Sequence, residues 1–155
     1  MSHTLEFETT ITNQDALVRA LKRMGVPENC IEIHETATRL NTYHTEEHKY
    51  AHVIVRRRVF NDRHSSDIGW ELVDGVFKAH VDDFEYGGSS IHFNKEWQAK
   101  LYTYCNVETM KAEFGKQHME CTETVDKQGR IQLRAKFAKA QENKNRTKTY
   151  TKVQV

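Results

Sequence analysis

The sequence predicts an α+β fold: two βαββ-like halves in which an antiparallel sheet carries two main helices on one face, with a ferredoxin-like flavour. Three observations predict it. Several short segments alternate apolar and polar residues with period two, the mark of half-buried strands. Two segments instead place apolar residues at helical spacing behind a capping residue. Turn signals, above all Asp74-Gly75, join neighbouring strands too tightly for anything but antiparallel pairing.

Taken in order, Leu5, Phe7, Thr9 and Ile11 alternate with Thr4, Glu6, Glu8 and Thr10, giving a first strand over 3–11. Thr12-Asn13-Gln14-Asp15 reads as a helix start, close to a capping box with Asp in place of Glu. Ala16, Leu17, Ala20, Leu21 and Met24 follow at helical spacing, and Gly25 and Pro27 end that helix. Ile31 to Leu40 is the second strand, with imperfect alternation. Asn41 to Tyr50 is a polar loop. Ala51 to Phe60 is the third strand, placing Val53, Val55, Arg57 and Val59 on one face and His52, Ile54, Arg56 and Arg58 on the other. Ile68 to Leu72 and Val76 to Phe84 flank Asp74-Gly75 as a hairpin. After Gly87-Gly88-Ser89-Ser90, Asn94 is the expected N-cap of a long helix over 94–114 with Trp97, Leu101, Tyr104, Val107, Met110 and Phe114, and Gly115 is expected to cap its end. Met119 to Val125 and Arg130 to Phe137 form a last hairpin about Asp126-Lys127-Gln128-Gly129.

The halves echo one another weakly. Ile31-Glu32-Ile33-His34-Glu35-Thr36 precedes a strand bearing Arg56, Arg57 and Arg58. Met119-Glu120-Cys121-Thr122-Glu123-Thr124 precedes one bearing Arg130, Arg134 and Lys136. A sheet covered by helices on one face leaves the other open for a ligand, a partner or a second copy.

The 155 residues fit one domain over 1–138 followed by a basic tail over 139–155. The tail holds Lys139, Lys144, Arg146, Lys148 and Lys152 against Glu142, a net +4, so the remainder of this +1 chain carries −3. Three cysteines, Cys30, Cys105 and Cys121, stand far apart in sequence, which argues against a disulfide framework and for a reducing compartment. No apolar run approaches the ~20 residues of a membrane span, and no secretory signal is evident, so a cytoplasmic protein with no membrane partner is expected.

Met1-Ser2-His3, Thr9-x-Ile11 and Asp15-x-Leu17-x-x-Ala20-Leu21-x-x-x-Gly25 form one group of motifs. Asp67-Ile68-Gly69-Trp70 forms a second, and Trp97, Tyr102-x-Tyr104-x-x-Val107, Gly115 and Gly129-x-Ile131-x-Leu133 a third. Together they make residues 1–137 resemble the hypothetical chloroplast reading frame thirty-five family, a cyanobacterial, plastid and cyanophage domain of unknown function. The resemblance implies a bacterial cytoplasm, plastid stroma or phage-infected host cytoplasm, and it supplies no catalytic residues. The histidine-rich loop and the basic tail depart from the family pattern.

The candidate chemistry is sparse. His44-Thr45-Glu46-Glu47-His48 matches the inverted zinc-peptidase signature H-x-x-E-H, but zinc chemistry there needs a helix and the segment reads as loop. His44, His48 and His52, at i, i+4 and i+8, are weak metal candidates on the same condition. Asp67, Asp74, Asp82, Asp83 and Glu85 form an acidic run, yet Asp74 suits a turn, and Asp82 and Asp83 point to opposite strand faces. Cys105 falls beside core positions, where packing explains it better than nucleophilicity. The glycine loop lacks the phosphate-binding spacing. No cofactor is expected.

The better candidates are cations. Arg56, Arg57 and Arg58, with Arg63 nearby and Tyr43, Tyr50, Phe60 and Trp70 around them, suggest a basic sheet face. Lys144, Arg146, Lys148, Tyr150 and Lys152 recur every second residue in the tail, which suits an extra edge strand or electrostatic contact with phosphates. The expectation is a non-enzymatic binding or adaptor protein with a protein partner. Single-stranded DNA or RNA binding is the alternative, a metal-dependent hydrolase is less favoured, and a homodimer through an edge strand is a further option.

Overall fold

The computed structural model describes residues 3–57, 66–83, 86–87, 93–137 and 150–154. Its elements run β1 (Thr4–Glu8), α1 (Gln14–Arg23), a short 3-10 turn (Glu28–Cys30), β2 (Ile31–Arg39), β3 (Tyr50–Val55), β4 (Ile68–Val73), β5 (Val76–Asp82), α2 (Lys95–Lys116), β6 (Met119–Val125), β7 (Ile131–Phe137) and β8 (Tyr150–Gln154). The fold is α+β with all strand pairs antiparallel.

The local signals act as their chemistry requires. Asn13 caps α1 by accepting from the Ala16 amide, and Asn94 caps α2 by accepting from the Trp97 amide, each satisfying a donor the first turn leaves free. Gly25 closes α1 at φ +91°, in the left-handed region. Asp74 and Gly75, both at positive φ, make the two-residue turn between β4 and β5. At the β6–β7 turn the Asp126 carboxylate accepts from the Gln128 and Arg130 amides.

Five strands form the first sheet in the order β1-β5-β4-β3-β2. One face buries Val53, Val55, Ile68, Trp70, Phe77, Ala79 and Val81 against Leu17, Ala20 and Leu21 of α1 and Leu101 and Cys105 of α2. The strands after α2 do not join this sheet. They form a second one, ordered β6-β7-β8. Helix length explains the split: 22 residues at 1.5 Å each make α2 about 33 Å long, so its last turns overshoot the first sheet. Val107 and Met110 on that stretch pack on Ile131 and Leu133 of β7. The two helices therefore share one face of the first sheet, but the single continuous sheet expected from the echo between the halves is two sheets joined by α2.

Other boundaries also move. The third strand ends at Val55, not Phe60, because Asp67 captures the backbone at Arg57 and turns the chain; 58–65 lie outside the described residues. Gly115 lies within α2 rather than capping it. The helix continues to Lys116 and tightens, with Gln117 N–H donating to Phe114 O and His118 taking the left-handed position at φ 58°. No helix among the described residues is long and apolar enough to cross a membrane.

Candidate binding surface

The second face of the first sheet is where the sequence places a basic patch, and the β2–β3 connection closes it. Leu40 leaves β2 and buries itself on Ala51 and Ile54, a small apolar cluster on the side away from the helices. Residues 41–48 then cross the sheet to its far edge. There Glu47 accepts from the Thr4 amide (3.2 Å) and the Thr4 hydroxyl (2.6 Å) of β1, with the His3 ring 3.2 Å away. Lys49 pairs with Glu6 of β1 at 2.7 Å, and the Leu40 amide donates to Lys49 O, closing the base of this strap. Burial pushes the Glu47 carboxyl up, but the hydrogen bonds from Thr4 and His3 outweigh it, so its pKa lies below the ordinary carboxylate value. The Lys49 hydrogen bond likewise holds Glu6 low.

Beneath the strap lies a buried polar network. Asp67, with its side chain 1% exposed, accepts from Arg56 Nη1 (2.7 Å), the Asn41 amide (2.9 Å) and the Arg57 amide (3.1 Å). Arg56 also donates through Nε to Glu32 and through Nη1 to Arg39 O. Ser66 donates to Asp82 and accepts from the Tyr43 amide. His80, 2% exposed, sits with Nε2 3.1 Å from Glu71 and Nδ1 3.7 Å from Glu6. Each group serves closure of the strap or pairing of the strands below it.

The predicted basic patch therefore does not form at Arg56 and Arg57. Arg56 is held in ion pairs with Glu32 and Asp67, and Arg57 is buried, its guanidinium 4.2 Å from the Phe93 ring centre. A guanidinium near core strands finds its counter-charges inside the protein because burying it unpaired costs too much. Arg58 and Arg63 lie outside the described residues.

The histidines are also dispersed. The segment is a strap, not a helix, so His44, His48 and His52 do not stack on one side. His44 stacks on His3 with ring centres 5.0 Å apart, His48 is exposed, and His52 accepts from the Leu72 amide at 2.9 Å. Among the described residues no group of three His, Cys, Asp or Glu side chains could hold a metal ion. The acidic run scatters in the same way. Asp67 and Asp82 are in the network, Asp74 is in the turn and Asp83 accepts from the His3 amide; Glu85 lies outside the described residues. Cys105 is 1% exposed and burial pushes its thiol up to about 12, so it packs rather than reacts. His80 and its carboxylates are not prominent in sequence, since Ala79-His80-Val81 reads as a strand with its polar residue facing water.

The second sheet is different. Its inner face carries Ile131, Leu133 and Ala135, all buried, with Ile131 and Leu133 packed against Val107 of α2. Among the described residues of its outer face, Glu120, Thr122 and Thr124 of β6 are exposed, as is Arg134 of β7, with Gln132 and Lys136 half-buried beside it. The tail supplies the third strand, β8, whose register sets Lys152 opposite Arg134 and Tyr150 opposite Lys136. On its other side Arg134 faces Thr122, and it has no carboxylate partner among the described residues, whereas Lys136 pairs with Glu120 at 3.9 Å. Lys144, Arg146 and Lys148, which lead into β8 in sequence, lie outside the described residues.

An ion network joins this sheet to the helices. Glu123 of β6 takes Arg23 of α1 and Lys111 of α2, and Glu108 takes Arg19, Arg23 and Lys111. The Arg23 hydrogen bond, with Lys111 beside it, holds the Glu123 carboxyl down at about 2. Compared with known proteins, the chain matches no family model, no curated protein and no solved structure.

Proposed function

We propose that the protein is a non-enzymatic binding or adaptor protein that works through the outer face of its second sheet and the basic C-terminal segment. The observation that supports this most is an asymmetry. The first sheet carries helices on one face and the strap over part of the other, while the second sheet has exposed residues along its outer face, among them Arg134, which has no carboxylate partner among the described residues. The resemblance to a cyanobacterial, plastid and cyanophage family fits a role in the cytoplasm or stroma and adds no catalytic residue.

The test is affinity capture from a lysate of the source organism, with the wild-type chain and an Arg134→Glu variant side by side and half of each sample treated with nuclease. Partners that load on the wild-type chain and are lost from the variant support the reading. Identical capture by both removes the second sheet from the function.

A further inference from the structure

We infer that residues 44–48 form an acid-released flap: the Glu47 carboxylate latches them to β1, and its protonation frees them while both legs of the strap stay seated. The legs are fixed by contacts away from Glu47. On the incoming side the Asn41 amide donates to Asp67 (2.9 Å) and the Tyr43 amide to Ser66 Oγ (2.8 Å). On the outgoing side the Leu40 amide donates to Lys49 O (2.8 Å), and Lys49 pairs with Glu6 (2.7 Å). Between the legs, the Glu47 amide and the Thr42 hydroxyl both donate to His44 O, so the flap is a turn tied to itself. Among the described residues, its polar and ring contacts with the fold beyond the strap are three. Glu47 meets Thr4 and His3, the His44 ring stacks on His3, and Arg39, an exposed side chain, donates to Thr45 O.

The latch needs a carboxylate. Oε2 of Glu47 accepts from the Thr4 amide (3.2 Å) and hydroxyl (2.6 Å), and Oε1 lies 3.2 Å from His3 Nδ1. A proton on either oxygen sets a donor against donors; the Thr4 hydroxyl can turn to accept, but its amide cannot. The Lys49 leg is built to outlast this. Glu6 is met by Lys49, by Lys78 at 3.6 Å and by the His80 ring at 3.7 Å. Glu47 has one ion-pair partner among the described residues, the His3 ring, which is 61% exposed. The largest influence on Glu6 is accordingly the Lys49 hydrogen bond, which lowers its pKa, whereas on Glu47 it is burial, which raises it and is only then outweighed. Glu47 still lies below the ordinary 4.5, so its contribution is complete above that value and is lost as pH falls beneath it. The other charges nearby face elsewhere. Asp83 accepts from the His3 amide, Asp82, opposite Thr4 on β5, accepts from Ser66, and Glu46 lies 3.5 Å from His44 Nδ1. Positive charge on His3 favours the Glu47 carboxylate, and charge on His44 opposes it across the stack, so protonation of Glu47 itself sets the direction.

Amide hydrogen exchange followed by NMR on the full chain, at about pH 7 and about pH 3.5 and corrected for intrinsic rates, tests this. Three amides separate the parts: Thr4 reports the latch, Leu40 the legs, and Leu17, bonded to Asn13 O, the helical core. In the wild-type chain the Thr4 amide should exchange about ten-fold faster at the lower pH, as for loss of hydrogen bonds to a charged group, while Leu40 and Leu17 keep their protection. Glu47→Ala should show the open Thr4 amide already at pH 7 and lose the pH dependence. Glu46→Ala, at a side chain 77% exposed, should behave as the wild type does. The inference is overturned if Thr4 is equally protected at both pH values, or if Glu47→Ala protects it as the wild type does. It is also overturned if Thr4 opens only together with Leu40 or Leu17, since the flap would then have no motion of its own.

Discussion

Gly69 shows how one residue can decide whether the strap closes. It sits on β4 opposite Ile54, on the face away from the helices, where Leu40 descends. A Cβ at this position would lie 2.6 Å from Ala51 Cβ and 2.8 Å from Leu40 Cδ2, closer than real Cβ atoms pack. Its neighbours in Asp67-Ile68-Gly69-Trp70 divide the same task. Asp67 pins the strap and Arg56, Ile68 and Trp70 fill the helix-side core, and Trp70 Nε1 donates to Tyr102 Oη at 3.4 Å. The segment that stands out in the sequence is thus the strap's seat. Gly69→Ala should destabilise the protein by about 1 to 3 kcal/mol through overpacking, read as a lower denaturant midpoint at unchanged slope. It should also speed proteolysis within 41–48, because Leu40 must lift. A variant as stable and as protease-resistant as the wild type would show that the strap does not depend on close contact there.

At the scale of elements, α2 is the piece that organises the molecule. Its first half completes the core of the first sheet and its second half carries the other sheet, so β6 docks through Glu123 to both helices. Glu123 titrates at about 2 in the folded state against an ordinary 4.5. A carboxyl depressed on folding stabilises at pH above its unfolded value, and that contribution fades as pH falls from about 4.5 toward 2. Arg23 and Lys111 are 28% and 32% exposed, so screening limits the gain to about 1 kcal/mol. Glu123→Gln should therefore lower stability at pH 7 and flatten its fall between pH 5 and 3, measured by urea unfolding across that range. A mutant whose pH profile matches the wild type would place the acid sensitivity elsewhere. The elements themselves were largely legible in sequence: period two marks the strands, Asn13 and Asn94 mark the helix starts, and Asp74-Gly75 marks the tight turn. What was hidden was long-range. Nothing local in Asn41 to Lys49 reveals that Glu47 meets Thr4 or that Lys49 meets Glu6, since those partners are some forty residues away. Arg56 and Arg57 look like a surface cluster until Glu32, Asp67 and Phe93 are brought beside them. The exposed cation at Arg134 was visible as part of the echo between halves, but its place in the middle strand of a second sheet, between β6 and β8, was not.

At the scale of the whole molecule, the two sheets differ in how they could be dismantled. In the first, strap, sheet and helices interlock, and its edge strands are β1 and β2. In the second, β8 is held by one strand, β7, and is reached through twelve residues, far beyond the two to five of a usual hairpin loop. The residues that attach β7 to α2, Ile131 and Leu133, do so through their side chains on the inner face, apart from the backbone pairing with β8. Ending the chain after Ala138 should consequently leave a folded protein with the helical signal intact and a melting temperature lower by a few degrees. It should also expose the β7 edge, whose unpaired N–H and C=O groups invite pairing with a second copy. Sedimentation velocity should then show a concentration-dependent dimer that the full chain lacks or forms less readily. If the truncated chain instead loses its helical signal, β8 is part of the cooperative core and the second sheet is not a separable platform. If it stays folded and monomeric at high concentration, the β7 edge is protected by its own twist, and the C-terminal segment acts through its charge alone.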